Sequence, residues 1–399
     1  MVNKMMYGRI NSDSNEEMGK EKNMKFCKKC IMPDTRPHIS FNTEGVCIAC
    51  QNQARKKTIN WDTRYEELKA LCDKYRRESS GVYDCIIAVS GGKDSHYQVH
   101  VMKELMGMNP LLITVEDFFT MTEAGKHNIK NISETFGCNV ISFKPNRRAA
   151  KIISKYMFEK YGRPSWYIDR LLYTVPLYYA AALNIPLLVY GENVSYEYGG
   201  GDDEETFSAR KQIFNGVAPD ISLDELVVAG VLEDELTYLE APEKDLLDKL
   251  EPIYLSYFVE WNSIKNYEFA KRRGFKDLTH EWERTNHVEN FNQIDSYGYL
   301  LNAWMKFPKY GHAYATDYAA RWVRYGILTR DEAVKLVEER DHNVDPKIID
   351  DFCDFIGITI QEFYEILDGQ FNKDLFEKNE FGQWQLKQEY IEERRNPHW

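Results

Sequence analysis

One feature limits the possible folds more than any other. It is a short apolar run that is followed by two adjacent glycines and then by a helical pattern. Residues 86–89 read Ile-Ile-Ala-Val, and the next six are Ser90-Gly91-Gly92-Lys93-Asp94-Ser95. We call residues 90–95 the Gly-Gly loop. Glycines let a backbone turn sharply and let a phosphate approach the N–H groups, and the following helix start adds free N–H donors and a positive dipole end. The run predicts a phosphate-binding turn between a buried strand and a helix.

Polar side chains in the Gly-Gly loop fit the same purpose. The hydroxyls of Ser90 and Ser95 can donate hydrogen bonds to phosphate oxygens, and Asp94 can brace the loop or help to hold magnesium. The loop is not the longer G-x-x-x-x-G-K-[ST] sequence that binds the β- and γ-phosphates of common NTPases. A strand-to-helix turn without a ligand is the plainer alternative, and the local sequence leaves it open.

Further apolar runs alternate with helical patterns in the first half of the chain. The predicted strands are residues 83–89, 110–115, 139–143 and 186–190. Helical spacing lies between them, over residues 95–106, over 122–136 and through about residue 182. This alternation predicts an α/β fold with a doubly wound parallel sheet, which binds ligands at the carboxyl ends of its strands.

Four of the eight cysteines form two pairs near the N-terminus, with the spacing C-x2-C-x16-C-x2-C. They are Cys27, Cys30, Cys47 and Cys50. Two residues between thiolates let a tight turn aim both sulfurs at one metal, and two such turns complete a closed tetrahedron. We predict a structural zinc site in a zinc ribbon. An iron–sulfur cluster or four unligated thiols are the alternatives.

Charge and hydropathy argue against some partners. The chain carries 51 Lys and Arg against 63 Asp and Glu, a formal net charge of -12. Because proteins that grip a nucleic-acid backbone neutralise its phosphates, this balance argues against an extended RNA or DNA footprint. No stretch approaches the roughly 18 to 20 apolar residues of a membrane span, and the first 23 residues lack a secretory apolar core. We expect a cytoplasmic protein without a membrane partner.

These features divide the chain into four predicted regions. They are a disordered leader over residues 1–23, a zinc ribbon over 24–60, an α/β domain over 61–242 and a helical C-terminal region over 243–399. In the last region, Thr329-Arg330-Asp331-Glu332 is a capping box that opens a helix through about Glu339. Residues 350–367 are also predicted to be helical. We expect this region to be a lid or an assembly surface.

The Gly-Gly loop after its buried strand resembles the signature of the PP-loop ATP pyrophosphatases, which have a HUP-like α/β fold. In those enzymes the loop holds the pyrophosphate portion of ATP while the α-phosphate is transferred to a substrate oxygen. The resemblance implies ATP and Mg²⁺ as cofactors. It also implies a set of ATP-binding residues: Ser90, Gly91, Gly92, Lys93, Asp94, Ser95 and Val115.

A narrower resemblance extends from Met24 to about Glu339. The cysteine pairs and the Gly-Gly loop belong to it, together with Tyr190-Gly191-Glu192-Asn193, Glu197-Tyr198-Gly199-Gly200 and Gly311-His312-Ala313-Tyr314-Ala315-Thr316-Asp317. These segments are similar to those of the N-acetyl sugar amidotransferases, which act on bacterial surface sugars of lipopolysaccharide O-antigen and flagellin, including pseudaminic acid derivatives. The resemblance implies an AMP-forming C–N ligase that converts an acetamido group of such a sugar into an acetamidino group.

The same resemblance implies where the nitrogen comes from. Gly137-Cys138-Asn139 does not form a convincing glutaminase motif. A separate glutaminase, with a barrel partner that channels ammonia, is therefore implied as the nitrogen source. The aromatic C-terminal third is a candidate docking surface for these partners.

The segment after the fourth predicted strand carries five of the six candidate catalytic and substrate-binding residues. Glu192 and Glu197, with Asp94 of the Gly-Gly loop, are the candidate catalytic residues, because the glutamates can orient ammonia, accept its proton or bind sugar hydroxyls. The candidate substrate-binding residues are Asn193, Tyr198 and Gly199. The alternative to a catalytic role is that Glu192 only caps a turn. Three residues after the third strand either meet an anionic substrate or form a solvated face: Lys144, Arg147 and Arg148.

Two other classes of function compete with this interpretation. Some tRNA thiolation enzymes also join a four-cysteine ribbon to a PP-loop domain, but they need reactive cysteines at the site and a basic path for RNA. Here Cys138 precedes the third strand, and the net charge is -12. A non-catalytic nucleotide sensor is the third class. The hydroxyls of the Gly-Gly loop and the pair of glutamates favour an enzyme.

Overall fold

A five-stranded parallel sheet forms the centre of the described chain. The computed structural model describes residues 24–79, 81–200, 205–211 and 218–399, so the predicted leader, residues 1–23, lies outside the described residues. The strands are β1 (Cys85–Ala88), β2 (Pro110–Val115), β3 (Val140–Phe143), β4 (Leu187–Tyr190) and β5 (Glu251–Tyr254). Their order is β3-β2-β1-β4-β5, and every neighbouring pair is parallel. The predicted α/β fold with a parallel sheet is confirmed.

Helices precede, connect and follow the strands. Up to β4 the α-helices are α1 (Ile48–Arg55), α2 (Trp61–Glu78), α3 (Lys93–Val99), α4 (Glu123–Phe136), α5 (Arg147–Tyr161) and α6 (Trp166–Ala182), and a π-helical segment (His100–Leu105) continues α3. Between β4 and β5 are α7 (Val194–Tyr198), α8 (Leu223–Val228) and α9 (Lys244–Leu247). After β5 follow α10 (Leu255–Phe258), α11 (Ser263–Arg272), α12 (Leu301–Trp304), α13 (Lys306–Tyr310), α14 (Tyr314–Arg324), α15 (Arg330–Arg340), α16 (Pro346–Ile356), α17 (Ile360–Asp368) and α18 (Gln388–Arg395). None of these described helices has the length and apolar character needed to span a membrane.

Both faces of the sheet are buried. Ile86 and Leu188 belong to a core cluster that also contains side chains of α5 and α6. Their sequence neighbours Ile87 and Val189 belong to a second cluster, which includes Leu68 of α2. Successive strand residues point to opposite faces, so these continuous apolar strands fill two cores. That double burial explains why the strands are uninterrupted apolar runs in the sequence.

Side-chain caps fix the starts of several helices. The Thr122 side chain accepts a hydrogen bond from the Gly125 N–H at the start of α4. The predicted capping box is confirmed at α15, where the Thr329 and Glu332 side chains each accept a hydrogen bond from the other residue's backbone. Such bonds satisfy first-turn N–H groups that have no partner within the helix.

The chain after residue 242 is less uniformly helical than predicted. β5 lies beyond that boundary and pairs with β4, so the sheet continues into the region predicted as helical. A hairpin of β6 (Phe376–Lys378) and β7 (Trp384–Leu386) also lies there. β5 contains Pro252, which is tolerated because β5 lies at the edge of the sheet. The strand was not predicted because four residues are too few to show a strand pattern in the sequence. The helix predicted over 350–367 is two helices, which Gly357 separates with a φ of 74°.

The N-terminal ribbon packs against helices of the C-terminal region. Its four cysteines share a core cluster with Ala315 and Ala319 of α14 and Val334 of α15. Trp399 stacks on Phe41 of the ribbon, with 4.8 Å between the ring centroids. The ribbon is therefore held by two groups of residues that are distant from it in sequence.

Candidate functional site

The order of the sheet reverses between β1 and β4, and both candidate loops begin at this point. β1 leads into the Gly-Gly loop, and β4 leads into residues 191–200, which we call the β4 loop. Because β1 and β4 pair in parallel, the two loops leave the same edge of the sheet. An open α/β sheet binds ligands in the crevice at such a point. We therefore take this crevice as the candidate site.

The Gly-Gly loop closes onto the first turn of α3. The Ser90 N–H donates to Ser95 Oγ at 3.0 Å, and the Gly92 N–H donates to Ser90 Oγ at 3.2 Å. Gly91 has a φ of +86°, in the left-handed region that favours glycine. A Cβ at Gly91 would lie 2.9 Å from the backbone nitrogen of Ile129 in α4. The turn therefore requires glycine at this position, and it ends at a helix start whose first N–H groups have no partner within the helix.

Lys93 and Asp94 form a polar pair in the first turn of α3. Lys93 Nζ donates to Asp94 Oδ2 at 2.5 Å, and Lys93 is only 3% exposed. Asn266 of α11 donates to the other oxygen of Asp94 at 2.8 Å. Because both oxygens have partners, the geometry favours a bracing role for Asp94. Val115, the remaining candidate for ATP binding, is the last residue of the neighbouring β2.

Glu192, at the start of the β4 loop, lies close enough to Asp94 and Lys93 to be influenced by their charges. The Tyr198 hydroxyl donates to Glu192 Oε1 at 3.1 Å, and the Arg321 guanidinium lies 3.7 Å from the centroid of the Tyr198 ring. Burial, followed by the negative charge of Asp94, raises the pKa of Glu192 to about 7. A carboxyl group with this pKa can exchange protons near neutral pH.

Glu197, the second candidate glutamate, is engaged by the N-terminal part of the chain. Lys56 donates to Glu197 Oε1 at 2.5 Å, and the two side chains are 6% and 3% exposed. One turn of chain earlier, Asn52 donates to the Tyr196 carbonyl at 2.9 Å. A buried charge without its partner is costly, so this pair ties the β4 loop to the ribbon side of the molecule. The catalytic roles of both glutamates stay predictions, and Glu192 is the one on which the charges of Asp94 and Lys93 act.

The three predicted substrate-binding residues lie together in the β4 loop. Asn193 is buried, and its side chain accepts hydrogen bonds from two backbone N–H groups at the start of α7. Gly199 has a φ of +83°, and its carbonyl accepts a hydrogen bond from Arg36 Nε at 3.0 Å. The hydroxyl of Tyr198 is bonded to Glu192. The structure therefore brings these residues to the candidate site, while their contact with a substrate stays a prediction.

Two carboxyl groups that the sequence analysis did not select also lie near the Gly-Gly loop. Asp295 interacts electrostatically with Lys93 and with Asp117, which lies two residues beyond β2. Burial, and then the charge of Asp117, raises the pKa of Asp295 to about 7, while burial raises the pKa of Asp117 to about 6. The position of Asp117 just after β2 could have identified it as a candidate site residue. Asp295 lies in an irregular stretch far along the chain, where the sequence gives no signal.

The four predicted zinc ligands converge in the ribbon. The distance from Cys27 Sγ to Cys50 Sγ is 3.9 Å, that from Cys30 Sγ to Cys47 Sγ is 3.7 Å, and all four sulfurs lie within 4.8 Å of one another. Zinc–sulfur bonds of about 2.3 Å in a tetrahedron separate the sulfurs by about 3.8 Å. The cluster can therefore hold a zinc ion, and four protein ligands leave no open position for catalysis.

Comparisons with known proteins find similarity over parts of the chain. Residues 285–390 match a family model described as "LPS biosynthesis protein WbpG-like, C-terminal domain". Over 99 residues the chain is 29% identical to "Uncharacterized protein MJ1599" of Methanocaldococcus jannaschii, which covers 25% of this chain. The chain spans 35% of the length of that relative, whose name gives no activity. The first match agrees with the expected link to lipopolysaccharide biosynthesis over the residues that it covers.

Proposed function

We propose that this chain is an ATP-dependent amidotransferase that converts an acetamido group of a bacterial surface sugar, or of its nucleotide-linked precursor, into an acetamidino group. The observation that carries the proposal is the meeting of the Gly-Gly loop and Glu192 at the switch point of the parallel sheet. The match of residues 285–390 to a domain of a lipopolysaccharide biosynthesis protein supports a sugar as the substrate. AMP and pyrophosphate are the expected by-products, and a partner glutaminase, with a barrel that channels ammonia, is the expected nitrogen source.

The chemistry requires activation of a poor leaving group. The acetamide oxygen attacks the α-phosphate of ATP, which forms an O-adenylyl imidate and releases pyrophosphate. Ammonia then adds to the imidate carbon and loses a proton, and the C–O bond breaks as AMP departs. No nucleophilic side chain is needed, so the protein's task is to position the reactants and to stabilise developing charge.

The residues of the site fit these tasks. The first-turn N–H groups of α3, the hydroxyls of Ser90 and Ser95, and Lys93 can hold the pyrophosphate portion of ATP. Magnesium bound with ATP would neutralise charge on the phosphates, and Asp94 could share an oxygen with it, as the neighbouring Asp117 and Asp295 could. Glu192, with its raised pKa, can accept the proton that ammonia releases.

We predict that Glu192→Gln lowers turnover by about 100-fold, the typical contribution of a positioned general base. In the unmodified protein, the rate at a fixed concentration of free ammonia should rise as the pH passes about 7, because Glu192 must lose its proton to act as a base. Tyr198→Phe should move this inflection to higher pH, because the Tyr198 hydroxyl stabilises the carboxylate. Initial rates across pH check the prediction, and an unchanged rate and inflection in Glu192→Gln would contradict it.

A second prediction concerns the nitrogen source and the nucleotide products. The purified chain with ATP and an acetamido sugar should form AMP and pyrophosphate when ammonium is supplied. Glutamine should replace ammonium only after a glutaminase is added. Chromatography of the nucleotides checks this expectation. ADP as the main product would exclude the PP-loop chemistry, and use of glutamine by the chain alone would exclude the separate glutaminase.

The positions of the cysteines disfavour the tRNA thiolation alternative. Within the described residues, the cysteines outside the zinc cluster are Cys72, Cys85, Cys138 and Cys353, and all are buried. Cys85 begins β1 and Cys138 precedes β3, so both lie at the edge of the sheet opposite the Gly-Gly loop. A thiolation enzyme would need a reactive sulfur at the loop's own edge. Thiolated tRNA as the product would overturn the proposed function.

A further inference from the structure

Four positively charged side chains come together between the ribbon, the link from α5 to α6, and α13. We call Arg36, Arg163, Lys306 and Lys309 the basic cluster. Lys306 and Lys309 are three residues apart on α13 and therefore project from the same side of the helix. Lys309 Nζ donates to the Gly162 carbonyl at 2.8 Å, which brings it next to Arg163.

The basic cluster has more positive charge than its protein partners neutralise. Among the described residues, Asp317 is the carboxylate that pairs with it, at 2.7 Å from Arg36 Nη1 and in contact with Lys306. Lys309 donates to a neutral carbonyl, and the Arg163 guanidinium has neither a hydrogen bond nor an ion pair within the described chain. Two cations are thus left without a carboxylate.

The electrostatics of neighbouring groups agree with this excess of charge. Burial, followed by the positive charges of Arg163 and Lys306, lowers the pKa of Lys309 to about 7. The carboxyl group of Asp169 lies near Arg163 but accepts hydrogen bonds from Ser165 and Tyr299 instead, and burial raises its pKa to about 6. A bound anion would favour the charged form of Lys309 and supply the missing counter-charge.

The cluster adjoins the candidate site but is separate from the Gly-Gly loop. Arg36 Nε donates to the Gly199 carbonyl of the β4 loop at 3.0 Å, which links the cluster to the predicted substrate-binding residues. Lys306 and Lys309 lie within the segment that matches the lipopolysaccharide biosynthesis domain. The two arginines after β3 that could meet an anionic substrate have other partners: Arg147 donates to the Phe118 carbonyl at 3.2 Å, and Arg148 pairs with Glu235 at 2.5 Å.

We propose that Arg163, Lys306 and Lys309 bind an anionic group of the sugar substrate, either a carboxylate on the sugar or a phosphate of a nucleotide-linked sugar. This inference rests on the proposed function, because it assumes that the β4 loop holds the acetamido sugar. The phosphates of ATP belong to the Gly-Gly loop, so the basic cluster serves the second reactant. Charged donors suit either anion, and an arginine offers the planar pair of N–H groups that both accept.

The test uses calorimetric titration of the full chain, with the nucleotide site filled by the non-hydrolysable analogue α,β-methylene-ATP. Three sugars that carry an acetamido group are compared: neutral N-acetylglucosamine, the carboxylate N-acetylneuraminate and the diphosphate UDP-N-acetylglucosamine. Arg163→Gln and Lys309→Gln remove charge from the cluster. Lys335→Gln is the matched control, because Lys335 is exposed on α15. Melting temperatures verify that each variant is folded, and Lys309→Gln retains an amide donor for the Gly162 carbonyl.

One of the two anionic sugars should bind at least about tenfold more tightly than the neutral sugar, and each cluster variant should weaken that binding by about tenfold, as loss of a charged hydrogen bond does. Lys335→Gln should bind like the unmodified chain. Which anionic sugar responds distinguishes the carboxylate from the phosphate. Equal binding of all three sugars, no binding of either anion, or unchanged affinity in both cluster variants would overturn the inference. Failure of α,β-methylene-ATP to bind would instead count against the proposed function.

Discussion

Cys47→Ser is expected to release the metal from the ribbon and to lower the free energy of unfolding by several kcal/mol, because a structural zinc site contributes folding energy directly. The Sγ of Cys47 lies 3.7 Å from that of Cys30, so its loss opens the tetrahedron. Elemental analysis should find about one zinc ion per unmodified chain and much less in the variant. Thermal unfolding should show an earlier transition.

Cys47→Ser should also lower activity, because residues of the ribbon form hydrogen bonds with the β4 loop. Lys56 pairs with Glu197 and Asn52 donates to the Tyr196 carbonyl, so an unfolded ribbon removes support from the segment that begins with Glu192. Cys138→Ser is the matched control, because Cys138 is also buried but lies outside the cluster. It should retain zinc. A Cys47→Ser protein with full zinc content and an unchanged melting temperature would contradict the assignment.

Gly91→Ala is expected to weaken ATP binding by about 100-fold, equivalent to losing one or two charge-assisted hydrogen bonds to phosphate. The φ of +86° is unfavourable for alanine, and the new Cβ would lie 2.9 Å from the backbone nitrogen of Ile129. A backbone neighbour cannot rotate away as a side chain can, so the loop itself must shift and its N–H groups move with it.

A fluorescent ATP analogue measures the affinity, with the melting temperature as a check on folding. Gly81→Ala is the control, because a Cβ at Gly81 meets nothing within 4 Å. Its affinity and melting temperature should match those of the unmodified chain. If Gly91→Ala binds ATP as tightly as the control does, the Gly-Gly loop is not the phosphate site.

Features that depend on local sequence were predictable. The strand at 110–115 was predicted with its observed bounds, since a continuous apolar run signals a strand buried on both faces. The start of α15 followed from Thr329 and Glu332, which lie one helical turn apart. The Gly-Gly loop belongs to this class, because its conformation is set by Gly91 and by two serines within six residues.

Features that depend on contacts between residues distant in sequence could not be predicted. Glu197 was selected because it follows a strand. The local sequence gives no sign of its ion pair with Lys56, which lies 141 residues earlier. Asp295 approaches Lys93 through an irregular segment, and β5 joins the sheet with four residues that include a proline. Lys309 of α13 is brought next to Arg163 by its hydrogen bond to the Gly162 carbonyl, in the link between α5 and α6. The sequence does not show that these two positive charges lie close together in the folded chain.

If the acetamide oxygen is adenylylated and then replaced by nitrogen, that oxygen must leave with AMP, and oxygen labelling can follow it. The chain is incubated with ATP, ammonium and an acetamido sugar that carries heavy oxygen in its acetamide group, and both products are examined by mass spectrometry. We predict that the heavy oxygen appears in the phosphate of AMP, and that the sugar product carries NH in its place. An unlabelled AMP, or a sugar that keeps its heavy oxygen while ATP is consumed, would contradict the claim.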